Sequence, residues 1–150
     1  MQLEIKAHGD PALARRTAWA TCERLRDHPA RDRIEILSFW PEACEVAAGL
    51  GFRARLVVIA GHQIRALAAW GRTVGLHGVC VEHFLLTPAL VATLRGAGLS
   101  VTTGTVNHGA LVAPLLELGL DAITSDAPHQ LRRSSLARMR TVTGNRAAAM

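Results

Sequence analysis

The stretch Leu56-Val57-Val58-Ile59-Ala60 decides the fold class, because every residue in it is apolar. A strand that is apolar on both faces is typical of a parallel sheet covered by helices. Gly78-Val79-Cys80-Val81 has the same character. Other short β-branched runs lie on either side, at Leu3–Lys6, Ile34–Phe39, Leu99–Thr103 and Asp121–Thr124. After the first run they start about every 22 residues, which is a strand–helix repeat and predicts an α/β fold.

The segments between these runs carry helix signals. Pro88 suits a first helical position after Thr87, and Gly98 suits the residue just past the helix end. Pro41 opens a second predicted helix, and an earlier segment places Ala14, Ala18, Cys22 and Leu25 on one face. Pro114 falls inside a further predicted helix and would remove a hydrogen bond there. We therefore expect that helix to kink or to start late.

Composition predicts one globular domain with a basic tail. The chain has 150 residues, of which 49% are hydrophobic and 19% charged. Its net charge of +5 comes from residues 129–150, which hold five arginines and no acid, so residues 1–128 are neutral. A neutral body with few aromatic residues argues against a nucleic-acid partner. We predict a domain over residues 1–131 and a solvated basic tail over residues 132–150.

The cysteines and the hydropathy predict a cytoplasmic protein. Cys22, Cys44 and Cys80 are odd in number and widely spaced, which is typical of reduced thiols. Neither a signal peptide nor a segment long enough to span a bilayer is apparent.

Physical pattern alone leaves two architectures open. An open doubly wound sheet that binds a nucleotide normally has a glycine-rich first turn, and none is present. A complete (β/α)₈ barrel takes about 250 residues, so a barrel would be partial in this chain.

Glu4 and Lys6 are the first candidates for chemistry. Successive strand residues point to opposite faces, so Glu4, Lys6 and, if the strand continues, His8 share one face. The backbone positions of Glu4 and Lys6 are then roughly 7 Å apart, close enough for both side chains to contact one phosphate or metal. A carboxylate suits Mg²⁺ or Ca²⁺, and an ammonium suits phosphoryl oxygens. An exposed polar strand face is the alternative interpretation.

Four motifs occur in an order that resembles a known family. They are Glu4-Ile5-Lys6, Ser38-Phe39, Thr105-Val106-Asn107 and the run Leu118–Pro128, LGLDAITSDAP. The sequence resembles the glycerophosphodiester phosphodiesterases, whose strands read E-[IL]-K, S-F and W-T-V-N before L-G-V-D-G-I-[IV]-T-D-x-P. The resemblance implies a partial (β/α)₈ TIM barrel of about six βα units, of the phospholipase-C-like type.

The resemblance also implies a reaction and its residues. Family members use a divalent metal, Mg²⁺ or Ca²⁺, to hydrolyse glycerophosphodiesters to an alcohol and glycerol 3-phosphate. Carried over by position, Glu4 is a metal ligand, Lys6 is the catalytic lysine that contacts the phosphate, and Phe39 lines the substrate. For Asn107 and Asp126 we favour structural roles, as a helix cap and a turn former.

Several family features are absent from this sequence. The H-R-G motif, the E-x-D carboxylates and the second catalytic histidine precede the E-[IL]-K strand in the family, and Gly104 stands where a tryptophan is expected. The histidines, of which His8 and His83 are the nearest candidates, show no zinc-binding spacing.

From these absences we expect the C-terminal portion of the barrel, inactive by itself. The alternatives are a non-catalytic module that binds anions or assembles with a partner, and an unrelated doubly wound domain. Open barrel edges predict a homo-oligomer.

Overall fold

The computed structural model describes residues 1–131, so the predicted basic tail lies outside the described residues. Six parallel strands form one sheet in sequence order, β1 to β6. The strands are β1 (Gln2–Ile5), β2 (Glu35–Ser38), β3 (Arg53–Val58), β4 (Gly78–Val81), β5 (Ser100–Thr103) and β6 (Ala122–Ile123).

A helix follows each of the first five strands. The helices are α1 (Pro11–Leu25), α2 (Pro41–Gly49), α3 (Ile64–Thr73), α4 (Pro88–Gly96) and α5 (Val112–Glu117). Short 3₁₀ turns occupy Arg31–Arg33, His83–Leu85 and Gly109–Leu111. The repeat read from the sequence is thereby confirmed.

Caps and prolines begin the helices where the sequence predicts. The Thr87 hydroxyl accepts a hydrogen bond from the Leu90 amide at 3.1 Å, and Pro88 is the first helical residue. Pro41 likewise begins α2. The late start predicted from Pro114 is also confirmed, because α5 begins at Val112 and Pro114 therefore lies in its first turn. The N–H groups of a first turn have no partner within the helix, so the N–H that proline lacks costs α5 no hydrogen bond.

The two faces of the sheet have opposite characters. One face packs against the helices, and its strand residues are almost completely buried: Ile5, Ile36, Ala54, Leu56, Val58, Val79, Val81 and Val101. These residues form one core with apolar helix residues, among them Ala14, Ala18 and Cys22 of α1. The opposite face, here called the inner face, carries a row of register partners: Glu4, Leu37, Arg55, Gly78 and Ser100.

The sheet curls around its inner face into a half-barrel with the helices outside. A partial (β/α)₈ barrel is therefore confirmed, and the alternative of an open sheet covered by helices on both faces is wrong. Within the described residues, β1 and β6 each pair with one neighbour, so they form the two edges of the sheet.

Strand ends differ from the sequence expectation in two places that affect the site. β1 ends at Ile5, so Lys6 follows the strand directly, and His8 has a positive φ of 44°. His8 therefore does not continue the alternation that would place it with Glu4. β3 begins at Arg53 rather than Leu56, which brings Arg55 into the sheet. Within residues 1–131, no helix is long and apolar enough to cross a membrane.

Candidate functional site

The carboxyl ends of all six parallel strands open toward the same side of the half-barrel. The residues just past the strands at this side are called the rim, and they include Lys6, Phe39, Ile59, Glu82, Asn107 and Asp126. In barrels of parallel strands, functional groups gather at the carboxyl end of the strands.

Glu4 and Lys6 meet at the rim end of β1. The Lys6 Nζ lies 3.6 Å from the Glu4 Oε2, and the side chains are 66% and 32% exposed. The prediction that they share a face is confirmed by this contact. Lys6 is the only lysine in the chain. Its ammonium lies near a carboxylate and stays open to solvent.

Phe39 directly follows β2 and lies beside Lys6, which directly follows β1. The pairing of Ser38 with Ile5 makes the next residues, Phe39 and Lys6, neighbours. The buried Ser38 hydroxyl donates to the Ile5 carbonyl at 2.9 Å and accepts from the Trp40 amide at 3.1 Å. These bonds hold the end of β2 against β1, and Phe39 is left 46% exposed on the open side.

Asn107 joins the loops that follow β5 and β6. Its Oδ1 accepts from the Asp126 amide and from the Ser125 hydroxyl, each at 3.0 Å, and its Nδ2 donates to the Asp126 carboxylate at 2.8 Å. The predicted helix-cap role of Asn107 is wrong, because α5 begins at Val112 and the 3₁₀ turn before it has no side-chain cap. Asn107 instead fixes the loop that carries Asp126.

Gly104 leaves no space for the aromatic side chain that the resemblance places there. A Cβ added at this position would lie 2.7 Å from the Thr124 Cβ. Real Cβ atoms do not approach this closely, so any side chain at position 104 would require Thr124 to move. The rim therefore lacks an aromatic wall at β5.

The described residues do not form a metal site by themselves. No group of three or more acidic, histidine or cysteine side chains in residues 1–131 could hold a metal ion. Glu4 is a suitable oxygen donor, but its nearest charged neighbour is the Lys6 ammonium. His83 packs edge-on against Phe84 with ring centroids 5.6 Å apart, and it lies in the turn after β4, whereas Glu4 lies in β1.

A second polar cluster lies deeper on the inner face. The sequence did not predict it. It comprises Glu35, Arg55, His77 and Ser100 and is called the floor cluster. The Arg55 guanidinium lies 3.0 Å from the Glu35 carboxylate, with side-chain exposures of 4% and 10%. It also donates to the Val79 carbonyl at 2.8 Å and to the Ser100 hydroxyl at 2.8 Å. The only sequence signal was a charged residue between two apolar ones in β3.

Gly78 makes room for this guanidinium. A Cβ at Gly78 would lie 2.1 Å from the Ser100 Oγ, 2.5 Å from the Ser100 carbonyl and 2.8 Å from an Arg55 nitrogen. Arg55 therefore reaches from β3 to β5 across a strand that has no side chain at this point.

The floor cluster perturbs the titration of its members. Burial would raise the pKa of Glu35, but hydrogen bonds from Arg55 and Gln2 outweigh burial and hold that pKa below its ordinary value. Burial and the Arg53 guanidinium lower the pKa of His77. Arg53 donates to the His77 Nε2 at 2.8 Å, and the His77 Nδ1 lies 2.9 Å from the Glu35 carboxylate and 3.3 Å from an Arg55 nitrogen.

The cysteines lie in or near the core. Burial raises the pKa of the Cys22 thiol to about 11 and that of Cys44 to about 12. Thiols in this state are protonated and unreactive. All three cysteines, including the half-buried Cys80, are free.

Comparison with solved structures shows which proteins share this fold. A glycerophosphodiester phosphodiesterase from Parabacteroides distasonis superposes with a TM-score of 0.76 at 19% identity, over 92% of this chain and 58% of that one. A phosphodiesterase from Oleispira antarctica, solved in complex with the product sn-glycerol-3-phosphate, superposes with a TM-score of 0.75 at 25% identity, over 89% and 53%. The chain has the fold of the glycerophosphodiester phosphodiesterases.

The same fold is also found at lower sequence identity. The enzyme from Thermotoga maritima superposes with a TM-score of 0.66 at 16% identity, over 83% of this chain and 53% of that one. This chain thus spans between half and three fifths of the length of these three proteins. No family model and no curated protein matches the sequence. The resemblance stated from the four motifs is confirmed by the fold.

Proposed function

We propose that this chain carries part of a glycerophosphodiester phosphodiesterase site, with the rim around Lys6 binding the phosphate of a glycerophosphodiester. The observation that carries the proposal is the Glu4–Lys6 pair, open to solvent at the carboxyl end of β1 in a half-barrel of this family's fold. The glycerol 3-phosphate product held by the Oleispira antarctica relative supports the same ligand chemistry.

Each of three residues has a defined role in this proposal. Lys6 contacts the phosphate and stabilises the charge that grows on its oxygens during hydrolysis. Glu4 holds the ammonium in place by their 3.6 Å contact. Phe39, exposed beside Lys6, gives the substrate an apolar wall. The products of the reaction are an alcohol and glycerol 3-phosphate.

The divalent metal of the family, Mg²⁺ or Ca²⁺, does not fit the described residues alone. A hard cation takes several oxygen ligands, and Glu4 supplies one carboxylate that already faces an ammonium. We assign Glu4 as one metal ligand only in a site to which other carboxylates are added.

The 150-residue chain by itself is expected not to catalyse the reaction, since the described residues supply no metal site. With Mg²⁺ or Ca²⁺ and a glycerophosphodiester, the purified chain should release no glycerol 3-phosphate. Turnover that is lost in Glu4→Ala would show that the chain holds a working site.

Binding tests the half-site without requiring turnover. Calorimetry should detect sn-glycerol 3-phosphate binding, and Lys6→Ala should weaken it about tenfold or more, as expected for a hydrogen bond to a charged group. Arg16→Ala is the matched control, because Arg16 is an exposed cation on α1 that faces Asp10. Equal binding by Lys6→Ala and the unmodified chain would contradict the proposal.

A second candidate function is a non-catalytic module that binds anions or assembles with a partner. The sheet edges at β1 and β6 favour it, because within the described residues each of these strands pairs on one side only. We propose a homo-oligomer through these edges, and a monomer in light scattering would contradict it. The free thiols favour a reducing compartment, so we also propose a cytoplasmic location.

A further inference from the structure

An apolar groove opens beside the rim. It lies between the His83–Leu85 turn and helix α5 and has a volume of about 490 Å³, within the range of small-molecule sites. Apart from the imidazole of His83, the side chains that line it are apolar: Phe84, Leu86, Leu111, Pro114, Leu115 and Leu118. Neither Glu4 nor Lys6 belongs to this lining.

The groove begins at the same end of the barrel as Lys6. Glu82 directly follows β4, and His83 and Phe84 come next. Leu111 ends the short turn between β5 and α5. Phe84 is 67% exposed and Leu111 36% exposed, so apolar surface faces water at the mouth of the groove. Contiguous exposed apolar surface is typical of a binding surface.

Exposed apolar side chains also follow the two strands that lie between β1 and β4. Phe39 follows β2 and Ile59 follows β3, and they are 46% and 39% exposed. Adjacent strands lie about 4.8 Å apart, so the three intervals from β1 to β4 span roughly 14 Å. A phosphodiester with its phosphate at Lys6 reaches the groove only through a long substituent. That substituent would pass Phe39, Ile59 and Phe84, which offer it apolar contacts.

We propose that the alcohol of the substrate carries a long alkyl or acyl chain, which lies along Phe39 and Ile59 and ends in the groove beside Phe84. The inference rests on the proposed function, because it takes Lys6 as the contact for the phosphate. It adds the chemical class of the alcohol. A small polar alcohol such as ethanolamine would find no apolar contact with these side chains.

Calorimetry with two diesters of glycerol 3-phosphate tests this inference on the 150-residue chain. One diester carries a methyl group and the other a decyl group, and the decyl compound is used below its critical micelle concentration. Burial of the alkyl chain should make the decyl diester bind at least about tenfold more tightly and with a more negative heat-capacity change. Equal affinities, or no detectable binding of either diester, would overturn the inference.

Matched variants locate the alkyl chain. Phe84→Ser and Leu111→Ser should each remove most of the decyl preference and leave methyl-diester binding unchanged. Leu116→Ser is the control, because Leu116 is a 48% exposed leucine of α5 that does not line the groove. A decyl preference that survives both groove variants would overturn the inference. Phe84→Ser that changes the oligomeric state but not the preference would assign the groove to a protein interface instead.

Failure of the inference can be told from failure of the proposed function. Lys6→Ala should weaken both diesters by the same factor, because it acts on the phosphate that they share. If Lys6→Ala has this effect but the two diesters bind equally, the proposed function stands and the inference is wrong. If Lys6→Ala weakens neither diester, the phosphate contact is wrong, and the inference is overturned with it.

Discussion

The floor cluster and the rim lie on the same face of the same sheet, but their charged side chains differ in how far they are buried. In the floor cluster, Glu35 and Arg55 are almost completely buried and face each other at 3.0 Å. At the rim, Glu4 and Lys6 are 3.6 Å apart and open to water. A buried charge must be satisfied within the protein, whereas an exposed one can exchange its partner for a ligand at low cost. The difference supports a structural role for the floor cluster and agrees with the binding role that we propose for the rim.

The largest expected effect is at the centre of the floor cluster. Arg55→Met should lower the free energy of unfolding by about 3 kcal/mol or more, because it leaves the buried Glu35 carboxylate without its cation. Denaturant unfolding measures the loss. The double variant with Glu35→Gln should recover at least half of it, since no buried charge is then left unpaired. If Arg55→Met left the stability unchanged, the buried charges of the floor cluster would contribute no more to stability than the exposed charges of the rim.

Gly78→Ala should be the next most costly change. The new methyl group would meet the Ser100 carbonyl at 2.5 Å and displace the Arg55 guanidinium, which we expect to cost about 3 kcal/mol of unfolding free energy. Gly96→Ala in α4 is the matched control, because a Cβ there meets nothing within 4 Å. The control should be neutral or slightly stabilising. Equal effects of the two substitutions would mean that Arg55 does not need the space at Gly78.

The floor cluster also predicts how stability depends on pH. The folded protein holds the pKa of His77 below its ordinary 6.5 and that of Glu35 below its ordinary 4.5. In each case the unfolded chain takes up its proton first as the pH falls, so both groups make the folded state less stable in acid. The unfolding free energy should decline as the pH drops below 6.5 and decline further below 4.5.

Two histidine variants separate these steps. His77→Gln should remove the decline that begins at the ordinary histidine pKa, while the exposed His108→Gln should leave it in place. A stability that rises on acidification would contradict the depressed pKa values of the floor cluster.

The smallest expected effect on stability is at the rim. Glu4→Gln should change the unfolding free energy by less than about 0.5 kcal/mol, because exposed ion pairs contribute little. The same urea titrations that are used for Arg55→Met measure it. A loss as large as that of Arg55→Met would assign Glu4 to the framework rather than to binding.

Most of the framework could be predicted from local sequence signals. The apolar run at Leu56–Ala60, the prolines at helix starts and the spacing of the β-branched runs act over a few residues, and the structure confirms the α/β repeat that they indicate. The choice between a barrel and an open sheet could not be made this way, because curvature depends on all the strands together. It required the resemblance of four motifs.

The side-chain networks were not predictable from the sequence. Arg55 bonds to groups of β4 and β5, and Asn107 bonds to Asp126 on the loop after the next strand. Such partners are brought together by the fold and leave no local pattern. The prediction for His8 depended on the first strand continuing to that residue, but β1 ends at Ile5 and His8 has a positive φ of 44°.

NMR of the chain's only lysine tests the central claim most directly. With ¹³C-labelled lysine, the side chain of Lys6 gives a single set of signals, which can be followed while sn-glycerol 3-phosphate is added. Contact with the phosphate predicts a saturable shift of the Lys6 Cε signal that glycerol does not produce. A Lys6 signal that stays unchanged at saturating glycerol 3-phosphate would contradict the assignment of the rim as a phosphate-binding site.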